Sequence, residues 1–394
     1  MKPFFFVALV ISAGVLMACK SAANVQCEQD LNCDLSTGGL CTLTLTGNQW
    51  CAYPDPNCQS GYSYSTQAVG DGVSGECVPP AIDGGVDTGP PPPPFSSCVG
   101  LPAVCGANRS DNCCNSLEVS GGTFFRGYDL AADPNSGNTS FPATISNFRL
   151  DKYEATVGRF RTFVEQGLGT QVTPPPQGAG SHARISDSGW DASWNKSLVA
   201  DKTALLAAIK CTGAQSAFHT WTDEPGPNES RPINCIDWYE AMAFCAWDGG
   251  YLPTEAEWNY SAAGGDQQRA FPWSAGTQTL DSSYASYFDG TDCLGDGLAG
   301  CTVTDLVVVG AKPLGDGRWG QSDLAGNVSE WILDWASPYP TPCTDCASLG
   351  TGQHRIHRGG GFNAREQGLR TGIQTFDDST ARFSYLGVRC ARVP

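Results

Sequence analysis

Gly320 to Trp335 reads GQSDLAGNVSEWILDW, a short apolar turn ringed by oxygen donors and framed by Trp331 and Trp335. Asp323 and Glu330 stand on either side of Gly326, so their carboxylates and the turn carbonyls form a candidate site for a hard cation. Calcium, which takes about six to eight oxygens, is the expected ion. The competing reading is structural: Asn327 and Glu330 tie down a tight turn.

Working outward, Arg231 to Trp273 holds two capping boxes. Asp237 with Glu240 starts one helix that Gly249 and Gly250 end, and Thr254 with Glu257, just after Pro253, starts another. Glu255 and Glu257 are therefore expected to serve caps and packing before any acid-base role. Downstream, His357 to Asn363 reads HRGGGFN. These stretches, with LPTEAEW at Leu252 to Trp258, resemble the sulfatase-modifying-factor family, whose founding activity is the formylglycine-generating enzyme.

The resemblance spans Leu117 to Pro394 and implies an α+β, C-type-lectin-like fold with little regular secondary structure. It implies a calcium site with side chains from Asp323 and Glu330 and carbonyls from Gly326 and Val328. It also implies that Cys245 pairs with Cys390, joining a helix to the final strand, Tyr385 to Arg392. The family's oxidases bind copper(I) through two cysteines after a Gly-Gly-Ser-Tyr motif and use oxygen to convert a substrate cysteine to formylglycine. Aligning Gly359 to Phe362 on that motif puts Ala364 and Leu369 at the copper positions, and neither side chain ligates a metal. The expectation is a binding or scaffold protein without copper. The alternatives are an oxidase with displaced ligands and a structural envelope component. Arg365, Arg370, Arg382 and Arg389 suggest a groove for an anion or polar peptide.

Local patterning supplies further elements. Thr123 to Gly127 and Phe148 to Lys152 read as strands, and Thr156 caps a helix over Val157 to Glu165. The four histidines, His182, His219, His354 and His357, are scattered, and the last two point to opposite faces of a probable strand.

The N-terminus carries Lys2 and an apolar run from Phe4 to Met17 that ends in Leu16-Met17-Ala18-Cys19. This is expected to be a lipoprotein export signal over residues 1–18, with Cys19 lipidated. Residues 19–26 form a tether. A Cys-rich module over 27–78 has too few apolar residues to fold without disulfides. Residues 79–97 contain five consecutive prolines and read as an extended spacer, 98–116 as a short Cys-rich segment, and 117–394 as the large domain. The expected location is a bacterial cell envelope, at the outer membrane or cell surface more than the inner membrane.

Nineteen cysteines less Cys19 leave an even number, which suits disulfides in an oxidising compartment. Cys211 with Cys235 and Cys293 with Cys301 are local pairs, while Cys343 and Cys346 form a CxxC, read as a short-range or mutual disulfide over a redox or metal site. A net charge of -17 argues against nucleic acid as a partner, because phosphates are met by Lys and Arg. Acidic oxygens suit cations or basic partners, and the expected partners are a membrane through the lipid anchor and a protein, peptide or glycan ligand.

Overall fold

The computed structural model describes residues 40–43, 49–55, 62–65, 74, 77, 95–128, 139–274 and 279–394. The leader, Cys19, the tether, most of the 27–78 module and the proline run lie outside the described residues. The chain divides into two compact units, Met1–Thr88 and Gly89–Pro394. The boundary falls inside the expected spacer, and the short Cys-rich segment belongs with the large unit.

In the first unit, strands β1 (Leu40–Leu43), β2 (Gln49–Pro54) and β3 (Tyr62–Tyr64) form an antiparallel sheet in chain order. Cys51 and Cys77 are both disulfide-bonded.

Among its described residues the large unit mixes small sheets, four α-helices and long connections. Strand β4 (Ser116–Val119) pairs with β7 (Phe148–Asp151), and β5 (Gly122–Phe125) pairs with β6 (Pro142–Ile145), both antiparallel. The first sequence-predicted strand therefore ends two residues early. Gly127 has φ 63°, a turn conformation, and its N–H donates to Asn259. The second ends at Asp151, one residue before expected.

Helix α1 (Val157–Glu165) has the predicted bounds, and the Thr156 hydroxyl accepts from the Arg159 N–H. After α2 (Lys202–Ala208) come α3 (Trp238–Trp247) and α4 (Glu255–Ala262), each opened by the expected capping box. Helix α3 is buried continuously from Trp238 to Cys245, as an all-round apolar helix must be. It lies in the main core with Phe160, Phe163, Trp190, Trp331 and Leu386.

Four strands carry the candidate site: β8 (Ser329–Trp335), β9 (His354–Arg358), β10 (Thr375–Asp378) and β11 (Leu386–Gly387), ordered β10-β9-β8-β11. Strand β11 runs parallel to β8, and the other pairs are antiparallel. Strand β12 (Ala391–Arg392) joins β7 and β4 instead. The single final strand expected over Tyr385 to Arg392 is thus two short ones in different sheets. Between them the Arg389 side chain turns to Glu330 and Cys390 bonds Cys245.

Candidate functional site

The turn that opens β8 is fixed by backbone geometry that few residues tolerate. Asp323 and Asn327 have φ of 57° and 60°, and Gly326 has φ of 87°. A Cβ on Gly326 would stand 2.3 Å from the Ser286 carbonyl oxygen, so the position requires glycine. The Gly326 N–H donates to the Gly359 carbonyl at 3.0 Å and the Phe362 N–H to the Asn327 carbonyl at 2.8 Å. These bonds clamp the turn to the triple-glycine segment.

Buried carboxylates gather behind it. Glu330 accepts from Arg389 through Oε1, at 2.9 and 2.7 Å, and from the Trp258 indole through Oε2, at 2.7 Å. Asp323 Oδ2 accepts from the Gly310 N–H at 2.5 Å. A third carboxylate, Glu154, which no local sequence signal marks, accepts from the Asn327 side chain at 2.6 Å and the Val328 N–H at 3.0 Å. Burial pushes Asp323 up to about 6. Burial, then the neighbouring Asp323 and Glu330 charges, push Glu154 well above the carboxylate range.

The donor chemistry fits a hard cation. Glu154, Asp323 and Glu330 are all buried, one guanidinium pairs with Glu330, and the Asn327 Oδ1 is buried without a partner. Asp323 and Glu330, with the carbonyls of Gly326 and Val328, are the residues that would hold it. Among the described residues no three His, Cys, Asp or Glu side chains form a metal-holding group, so the carbonyls would have to supply part of the shell.

On the other side of the triple-glycine segment lies a cavity of about 440 Å³, lined among others by Ser329, His357, Gly360, Ala364, Gln374 and Asp377. Ala364 thus stands in its wall. Leu369 is 1 % exposed and packs in an apolar cluster with Phe271, Trp273, Tyr287 and Ala325. The two copper positions therefore present a methyl group and a buried isobutyl group. Cys343 and Cys346 are bonded to each other and do not line the cavity. The other cysteines singled out are joined as Cys211–Cys235, Cys245–Cys390 and Cys293–Cys301.

The expected arginine groove is not formed. Arg389 is buried against Glu330, Arg382 pairs with Asp237 and Glu240, and Arg370 lies over Phe271. Arg365 is exposed over Phe288, and no arginine lines the cavity. The lining is aromatic, hydroxyl, amide and carboxylate instead. Glu255 and Glu257 keep structural roles. Glu255 pairs with buried Arg358, while Glu257 closes its capping box and accepts from Tyr251 at 2.9 Å.

His357 is the histidine that the cavity uses. Its Nδ1 lies 2.7 Å from Ser329 Oγ and its Nε2 lies 3.1 Å from Asp377 Oδ2, which also accepts from the Tyr385 hydroxyl at 3.1 Å. His354 points away and stacks on Phe376. The Ser329, His357 and Asp377 set was missed because its members come from three strands.

Residues 102–394 match the family model described as the sulfatase-modifying factor enzyme 1-like domain. The formylglycine-generating enzyme of Mus musculus is 26 % identical over 367 residues, covering 88 % of this chain and 87 % of that protein. The inactive C-alpha-formylglycine-generating enzyme 2 of Bos taurus is 27 % identical over 290 residues, covering 70 % of this chain and 87 % of its own length. Among solved structures, PvdO from Pseudomonas aeruginosa superimposes with a TM-score of 0.48 at 18 % identity, covering 75 % of this chain and 99 % of that one.

Proposed function

The chain belongs to the sulfatase-modifying factor enzyme 1-like family, and from that premise we propose that it is a non-oxidase, ligand-binding member held to a membrane by a lipid on Cys19. The observation that carries the reading is the wall of the cavity. Copper(I) needs soft thiolates, and the two positions that would supply them are Ala364 and the buried Leu369. Without thiolates to hold copper, the site has no means of activating oxygen for the family chemistry. What remains is a mainly apolar recess carrying a few hydroxyl, amide and carboxylate groups, suited to a segment of a protein, peptide or glycan. Calcium would serve the turn behind it structurally.

The test is to incubate reductant-treated, copper(I)-loaded protein with a Cys-x-Pro-x-Arg peptide and oxygen, and to follow the peptide by mass spectrometry. The expected outcome is an unchanged peptide and no oxygen uptake. Aldehyde formation that disappears in a Cys343→Ser, Cys346→Ser variant would restore the oxidase through a substitute thiol pair.

A further inference from the structure

The strand registers bring a nucleophile, a base and an orienting carboxylate to one wall of the cavity. His357 stands opposite Trp331 on β8 and opposite Thr375 on β10. Side chains directly opposite share a sheet face, and so do residues two apart along a strand. Ser329, His357, Thr375 and Asp377 therefore project from the same face. Asp377 as a carboxylate only accepts, which places the His357 proton on Nε2 and leaves Nδ1 an acceptor, 2.7 Å from a Ser329 hydroxyl that also reaches the Arg358 carbonyl at 2.8 Å. Ser329 is 1 % exposed. It forms the floor, so only a group inside the cavity reaches its oxygen. Gln374 adds a second, independent observation: its buried Nε2 has no hydrogen-bond partner although it lines the cavity. An unpaired buried donor is costly, and a ligand oxygen would offset that cost.

We propose that this cavity hydrolyses a small carboxylic ester, with Ser329 as nucleophile and His357 as general base. The proposal rests on the cavity being the ligand site of a non-oxidase domain. Ser329 Oγ attacks the ester carbonyl carbon while its proton passes to His357 Nδ1, and the Gln374 amide donates to the developing oxyanion. The tetrahedral species collapses, the bond to the leaving alcohol breaks, and Nδ1 returns the proton to the alcohol oxygen. Water repeats the two steps on the acyl-serine and releases the acid. Asp377, itself held by Tyr385, is a positioning residue that fixes the ring and stabilises the imidazolium. Thr375 Oγ1 also lies 3.0 Å from Nδ1, and each hydroxyl has a backbone carbonyl as second acceptor, Arg358 for Ser329 and His357 for Thr375; Ser329 is the nearer to Nδ1.

The experiment treats the full chain with a fluorophosphonate probe and maps the adduct by peptide mass spectrometry. One phosphonyl group is expected on Ser329. His357→Gln should slow its formation roughly a hundredfold, because general-base assistance contributes about that much or more. With p-nitrophenyl acetate, Asp377→Asn should lower kcat about tenfold or more and leave KM unchanged, a split that loss of packing alone would not give. Should Ser329→Ala fail to fold, the adduct position in the unaltered protein still decides. A protein that melts normally yet gains no adduct overturns the proposal. So does an adduct on Thr375, or equal labelling rates in His357→Gln. Failure here leaves the copper experiment untouched, since that one reads the non-oxidase assignment by itself.

Discussion

Asp323 carries the electrostatics of the turn at residues 320–335. Burial holds its carboxyl at about 6, above the ordinary 3.8, so the folded chain binds that proton more tightly than the unfolded chain does. The sign follows: its contribution to stability is full below the unfolded value and is lost as pH rises through about 6. Calcium bound there would replace the proton as counter-charge, so its stabilising effect should grow between about pH 5 and about pH 7.5. A site filled a hundredfold above its Kd adds about 2.7 kcal/mol, several degrees in a domain of this size. Melting in chelator and in millimolar calcium at both pH values measures the difference, and Asp323→Asn should erase most of it. Equal midpoints at the higher pH would refute the calcium site. Asp323 could be singled out in the chain because an aspartate before a glycine turn is a local signal. Glu154 was not, since it reaches Asn327 across 173 residues of sequence and its role exists only after folding.

Elements were legible where the determinants are local. Thr156, Asp237 and Thr254 each cap a helix through a backbone N–H three residues on, a spacing visible in the chain itself. Strand ends depend on partners from elsewhere, so the last segment, read as one strand, divides between two sheets. The same limit hid Ser329, His357 and Asp377, which come together through cross-strand register and not through spacing. One non-local link did emerge from family likeness: Cys245 on α3 bonds Cys390 beside β12, closing a separation of 145 residues, whereas Cys343–Cys346 closes a separation of 3. By loop entropy the first should contribute about 5 kcal/mol and the second about 2 kcal/mol. Denaturant titration of the paired variants Cys245→Ser, Cys390→Ser and Cys343→Ser, Cys346→Ser should therefore rank them in that order. A larger loss from the short loop would show that the Cys343 turn, and not chain closure, dominates.

For the whole molecule, the proposed lipid anchor is the part that a single substitution tests. Among the described residues no helix is long and apolar enough to cross one. A net charge of -17 also disfavours adhesion to anionic lipid through the protein surface. Attachment would then fall to Cys19, behind the apolar run that ends Leu16-Met17-Ala18. Each buried methylene of an acyl chain contributes about 0.8 kcal/mol, so a single chain holds weakly and two or more hold firmly. In a bacterial host, Cys19→Ser should move the protein from the membrane pellet to the soluble fraction and abolish incorporation of labelled fatty acid. The cavity chemistry of the released protein should be unchanged, because the site is built wholly from residues of the Gly89–Pro394 unit. Retention in the pellet with no acyl label on the unaltered chain would sink the anchor and require a protein partner to hold it there.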